Sequence, residues 1–211
     1  MKAKPSDWYR HAWTLEIQNQ SWVEETEKQV DFLSRRMRLT GNERVLDVAC
    51  GFGRHALALA RRGHPVVGVD FTPAYVEEAN RVAQSENLPA TFLCMDVRDM
   101  RFAAEFDVAL NMADGAIGYL ETDAENQKIF TAVARALKPG GWHLMDIGNA
   151  EHAERYFPEK RWECGEKSLS LAQFEWDAAH RRMTGERRYA PTVIPGYRKT
   201  AKPMRFRSVW P

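Results

Sequence analysis

From residue 44 to residue 147, short apolar runs alternate with longer stretches whose apolar residues recur at helical spacing. The runs Arg44–Ala49, Pro65–Asp70, Thr91–Met95, Phe106–Asn111 and Trp142–Ile147 predict five buried strands. Between them, Arg54–Arg62 predicts a helix carrying Ala56, Leu57, Leu59 and Ala60. Thr72 and Pro73 open a second, with Val76, Ala79 and Val82 on its apolar stripe. Asp123 opens a third, with Ile129, Phe130, Val133 and Leu137, and Lys138-Pro-Gly-Gly141 stops it. Strands that are apolar along their length and alternate with helices predict an α/β fold. Its sheet is doubly wound and mostly parallel, with helices on both faces.

The flanks carry a different pattern. Residues 1–22 are rich in aromatics (Trp8, Tyr9, Trp13, Trp22), and residues 23–39 predict a helix with Val30, Leu33 and Met37 on one face. After Ile147, the segment with Leu169, Leu171, Phe174 and Trp176 and the polar stretch Arg182–Tyr189 predict a β-hairpin turned at Asp177–His180. The tail from Ala190 holds Pro191, Pro195, Pro203 and Pro211 and reads as extended or irregular. The expected organisation is one domain over residues 1–211. It comprises an N-terminal helical cap (1–40), a core (41–149), and a β insert with a C-terminal tail (150–211).

Composition narrows the function classes. The 211 residues are 44% hydrophobic and 28% charged, as in ordinary globular chains. A net charge of +1 gives no global reason to expect nucleic acid or an acidic membrane as partner. No apolar run is long enough to cross a bilayer, and Met1-Lys-Ala-Lys-Pro5 does not lead into a secretion segment, so the expected location is cytoplasmic. Cys50, Cys94 and Cys164 lie far apart, and no histidine pair has ligand spacing, so neither a disulfide framework nor a metal site is expected. Nine Lys/Arg and one acid lie between Arg181 and Arg207; a solvated strand face explains them as simply as an acidic partner does.

Ligands of such sheets bind beyond the carboxyl ends of the strands, so the chemistry should sit at the strand tips. The first tip offers Asp47-Val-Ala-Cys-Gly-Phe-Gly53, with glycines that allow a tight turn and close approach to a ligand. The second ends in Asp70, 19 residues after Gly51, where a carboxylate can accept from both hydroxyls of a ribose. The third is followed by Asp96, placed to accept from an exocyclic adenine amine, and the fourth ends in Asn111 at the mouth of the cleft. Each residue alone has a plainer reading as a turn glycine, a capping acid or a loop acid; their order and spacing carry the argument.

In these stretches the chain resembles the class I S-adenosylmethionine-dependent methyltransferases, which have a Rossmann-like fold. The matching segments are Val45–His55, Val67-Gly-Val-Asp70, the Asp96 segment, Phe106-Asp-Val108 and Leu137-Lys-Pro-Gly-Gly141. The resemblance implies S-adenosylmethionine as cofactor and a small molecule as methyl acceptor. It implies that Asp47, Ala49, Gly51 and Gly53 hold the methionine end, Asp70 and the adjacent Phe71 the ribose side, and Asp96 with Val97 the adenine. Asn111 would contact the amino-acid moiety or face the acceptor. Ala49 stands where many relatives have glycine. Asp114, Tyr119 and His55 are the candidates for a catalytic base; Tyr119 also reads as a packed aromatic and His55 as a polar helix start. The aromatic N-terminus reads either as a lid over the acceptor or as added core. The C-terminus reads as shorter than the family's, which would leave a sheet edge for the hairpin or a homodimer to cover. Two alternatives stay open: a cofactor-binding protein without turnover, and a nicotinamide dehydrogenase, because Gly51-Phe-Gly-Arg-His-Ala56 also fits G-x-G-x-x-A.

Overall fold

A computed structural model describes residues 8–10, 13–113 and 115–191. The elements run α1 (Thr26–Met37), β1 (Val45–Val48), α2 (Arg54–Arg61), β2 (Val66–Asp70), α3 (Pro73–Ser85), β3 (Ala90–Cys94) and β4 (Phe106–Asn111). They continue with α4 (Asp123–Ala136), β5 (Leu137–Met145), α5 (Ala150–Tyr156), β6 (Glu159–Cys164), β7 (Ser168–Asp177) and β8 (Arg182–Pro191), and short 3-10 turns lie ahead of α1. Strands β1 to β5 form one parallel sheet in the order β3-β2-β1-β4-β5. The order reverses between β1 and β4, which opens the crevice predicted at the strand tips.

Alternation along β1 shows how the two faces are filled. Val45 packs with Val30 and Leu33 of α1 and with residues of α2 and α3. Leu46 and Val48 turn the other way, onto Ile129 and Val133 of α4 and onto Tyr9 from the N-terminal segment. Tyr9 is thus core, and two of the other early aromatics, Trp8 and Trp13, pack about Tyr119 (ring centroids 5.4 and 6.1 Å).

Two differences from the sequence reading have physical reasons. Strand β5 begins at Leu137, directly after α4, because the Lys138-Pro-Gly-Gly141 stretch extends along β4 through a register shift between Phe106 and Val108 instead of forming a loop. Pro139 is tolerated because, among the described residues, no strand pairs with the other side of β5. The hairpin is a three-stranded antiparallel sheet, since β6 joins β7. The tail from residue 192, including Arg205–Trp210, lies outside the described residues.

The turn after β1 sets the cleft. Gly53 has φ +77°, and a Cβ there would stand 2.6 Å from the ring of buried Phe92, so only glycine fits. Ala49 has φ +53°, a left-handed conformation that costs an L-residue about 1–2 kcal/mol. Glycine would remove that strain but loses about 0.5–1 kcal/mol to its freer unfolded chain. Ala49→Gly is therefore expected to gain about 0.5 kcal/mol, or about 1–2 °C in Tm. A lower Tm in a thermal scan would show that Ala49 is not strained.

Candidate functional site

Asp47, Gly51 and Asp70 meet at the tips of β1 and β2. Asp70 is 6% exposed, and its two oxygens accept from Gly51 N–H (2.9 Å, Oδ2) and Thr72 N–H (2.8 Å, Oδ1). Each oxygen keeps a second lone pair, so the carboxylate can brace the glycine turn and still accept from a diol. Burial raises the Asp70 carboxyl above its ordinary value, and the two backbone donors partly offset this. Phe71 follows, its ring edge-on to Tyr9 at 5.9 Å.

Asp47 is 2% exposed, and its Oδ2 has no hydrogen-bond partner among the described residues. Burial pushes its carboxyl up to about 7; Arg54 and the Ala56 N–H pull the other way without overcoming it. An orphaned carboxylate oxygen at a ligand cleft is a group waiting for a donor.

Arg54, the first residue of α2, is a participant that its own position in the sequence did not announce. Its Nη1 donates to Thr26 Oγ1 (3.0 Å) and Gln29 Oε1 (2.7 Å), and its guanidinium lies 4.9 Å from the Trp22 ring. Those two bonds use both Nη1 hydrogens. The Nε/Nη2 edge has no acceptor among the described residues, although Asp47 and Asp146 lie within electrostatic reach. Burial lowers Arg54 to about 10, opposed by those two acids, so it stays charged at neutral pH. Its neighbours come from α1, β1 and the residue after β5, a convergence visible only in the fold.

Asp96 sits at the end of β3. Its oxygens accept from Arg98 Nε (2.9 Å) and Nη2 (2.6 Å), and Arg10 lies 3.5 Å away. Burial pushes its carboxyl up, but the bonds from Arg98 outweigh it and the net shift is downward. Arg98 also reaches Glu125 (2.6 Å), and Tyr9 donates to Glu121 (2.6 Å), so the N-terminal segment, β3 and the start of α4 are tied into one network. Val97 is buried behind Asp96.

Asn111 departs from its expected place at the cleft mouth. It is fully buried; its Nδ2 donates to Val48 O (3.3 Å) and Gly115 O (2.9 Å), and its Oδ1 faces His143 Nε2 at 2.7 Å. With both amide hydrogens committed, its side chain joins the tips of β1, β4 and β5 instead of facing a ligand. The base candidates separate too. His55 is 4% exposed, its Nε2 lies 2.8 Å from Gln29 Oε1, and burial together with Arg54 lowers it to about 3. Facing an acceptor oxygen, that nitrogen carries the hydrogen, so His55 is a neutral donor turned toward α1. Tyr119 lies between Trp8 and Trp13 on the loop after β4. Asp114 lies outside the described residues.

Among the described residues no helix is long and apolar enough to cross a membrane, and no group of three His, Cys, Asp or Glu side chains is placed to hold a metal ion.

Comparison with known proteins bears on the family and the fold. A family profile described as a methyltransferase domain covers residues 45–141. The chain is 31% identical over 120 residues to a ubiquinone biosynthesis O-methyltransferase of Chromobacterium violaceum, covering 57% of this chain and 50% of that one. It is 31% identical over 119 residues to the S-adenosyl-L-methionine-dependent Diels-Alderase iccD of Talaromyces variabilis, covering 56% and 41%. The CcbJ methyltransferase of Streptomyces caelestis shares the fold at 16% identity with a TM-score of 0.63, over 88% of this chain and 76% of that one. The chain spans about half the length of the curated relatives it matches.

Proposed function

We propose that the chain, which matches a methyltransferase-domain profile over residues 45–141, is a class I S-adenosylmethionine-dependent methyltransferase that moves a methyl group to a small-molecule acceptor by in-line displacement. The observation that carries this reading is the pair of open groups at the methionyl end. The orphaned Oδ2 of Asp47 suits an α-ammonium, and the free Nε/Nη2 edge of Arg54 suits an α-carboxylate in bidentate fashion. Asp70 would take the ribose diol, with Gly51 held against it. Asp96, whose Oδ1 accepts from both the backbone N–H and Nε of Arg98, would keep a lone pair on Oδ2 for the adenine amine.

When bound, S-adenosylmethionine supplies a methyl group on a sulfonium, already electrophilic. The chain then needs chiefly to align an acceptor and exclude water. Trp8, Trp13 and Tyr119 form an aromatic wall beside the β4 tip that suits this task. Tyr119 is the base candidate that the proposal retains there, while His55, neutral and bonded to Gln29, supports α1.

Binding of S-adenosylhomocysteine by calorimetry and its release from S-adenosylmethionine over pooled metabolites test the reading. Arg54→Gln is expected to weaken S-adenosylhomocysteine binding about tenfold or more, the scale of a charge-assisted hydrogen bond. The same substitution should barely change binding of the decarboxylated analogue. Equal losses for the two ligands would remove Arg54 from the site. A second reading, cofactor binding without methyl transfer, is favoured by the iccD relative, whose name records a Diels-Alderase. Tight S-adenosylhomocysteine binding with no methyl transfer to any acceptor would select it.

A further inference from the structure

We propose that the acceptor carries a carboxylate and that Arg187, on the antiparallel sheet, receives it; the proposal rests on the methyltransferase reading above. The basic stretch at 181–188 divides by strand parity. Arg188 stands opposite Leu171 and Arg182 opposite Asp177, on one face of the sheet. Arg187 stands opposite Ala172 and shares the other face with Ser170, Phe174 and Trp176.

That second face is the one that meets the rest of the chain at both ends of the sheet, while Met183, Arg187 and Tyr189 on it stay exposed. At one end, Met183 Cε lies 3.6 Å from where a Cβ on Gly148 would stand, just beyond β5. At the other, Ser168 Oγ donates to Asn19 O (2.8 Å), and Ser21 Oγ donates to Glu163 Oε2 (3.1 Å). Tyr189 comes within electrostatic reach of Tyr75, in α3 beyond the tip of β2. Strand β8 therefore runs from Gly148, just beyond β5, toward the α3 side of the sheet. Four and two residues from Met183 and Tyr189, at about 3.3 Å each, Arg187 lies between these two points, nearer the Tyr189 end.

Arg187 makes no hydrogen bond or ion pair among the described residues. Its neighbour Arg161 is satisfied by Glu159 (2.7 Å), and Glu163 is engaged by Ser21. With Arg161, Ser170, Ala172 and Phe174, the two residues Arg187 and Glu163 line a cavity of about 30 Å³. That space holds one or two water-sized groups, which suits a carboxylate head and not a polyanion. An uncommitted guanidinium beside an aromatic wall fits a small organic acid: the fork takes the carboxylate, and Phe174 covers carbon.

The test uses the full chain saturated with S-adenosylhomocysteine. Small acids, each paired with its carboxamide (3,4-dihydroxybenzoate, 4-hydroxyphenylacetate, glycine), are titrated by calorimetry, and the same pairs are assayed for methyl transfer. At least one acid should bind tenfold or more tightly than its amide. Arg187→Gln should erase that preference, Arg187→Lys should keep part of it, and Arg188→Gln on the other face should leave it intact. The Kd for S-adenosylhomocysteine should be the same in all four proteins. The proposal is overturned alone if cofactor binding is intact but acids and amides bind alike, no acid binds, or Arg187→Gln and Arg188→Gln behave identically. If the wild-type chain does not bind S-adenosylhomocysteine, the parent reading falls and takes this one with it.

Discussion

Asp47→Asn is expected to stabilise the ligand-free chain at pH 8 while weakening its hold on S-adenosylhomocysteine. The Asp47 carboxyl is pushed up to about 7 by burial, against an ordinary value of 3.8. The folded chain therefore binds that proton more tightly than the unfolded chain. The resulting stabilisation is fully present below about pH 4, declines as pH rises, and is gone above about pH 7; integrated across that window it amounts to about 4 kcal/mol. Asparagine has no charge to bury. The stability difference between variant and wild type should thus shift by about 4 kcal/mol in the variant's favour between pH 4 and pH 8. Urea unfolding at several pH values reads this directly, and the other titrating groups cancel in the difference. A difference that does not change with pH would mean that Asp47 is solvated.

Binding should show the opposite preference. An α-ammonium beside Oδ2 needs the ionised carboxylate, so wild-type affinity for S-adenosylhomocysteine should fall as pH drops below about 7, approaching tenfold per pH unit. Asp47→Asn should bind more weakly at pH 8 and lose that slope. One residue would then cost the empty fold stability and give the bound state its grip, as expected where a buried charge is kept for function. A structural acid would gain stability and leave affinity unchanged.

How much of this was legible in the chain follows from how each part is buried. Strands β1, β2 and β4 are covered on both faces and announce themselves as apolar runs such as Val45-Leu46 and Val66-Val67. Strand β6, Glu159-Lys-Arg-Trp-Glu-Cys164, is mostly exposed at a sheet edge, so it has no apolar alternation to read. The glycines and acids of the β1 and β2 tips were legible because their spacing is local, within one βαβ unit. Arg54 was not, because its environment is assembled from Trp22, Thr26, Gln29 and Asp146, and sequence order does not bring those together. Asn111 shows the converse: its position at the β4 tip was read correctly, but the direction of its side chain is set by His143 on the neighbouring strand. Parity likewise separates Arg187 from Arg188, which a count of basic residues merges.

Asp70→Ala should give the largest loss of cofactor affinity of any single substitution at the site. The ionised carboxylate has two oxygens, each with one lone pair uncommitted after Gly51 N–H and Thr72 N–H are served. Two hydrogen bonds to a charged acceptor contribute about 1.5 kcal/mol or more each, so their joint removal should raise the Kd for S-adenosylhomocysteine about a hundredfold or more. Alanine also frees the glycine turn, which complicates a simple loss. A ligand lacking the ribose 2′-hydroxyl separates the two effects: it should bind wild type more weakly than S-adenosylhomocysteine, yet bind Asp70→Ala about equally. Asp96→Ala should cost less, about tenfold, because Asp96 is partly exposed and already shares both oxygens with Arg98. If the 2′-deoxy ligand is penalised as much by Asp70→Ala as by wild type, Asp70 only braces the turn, and the ribose is held elsewhere.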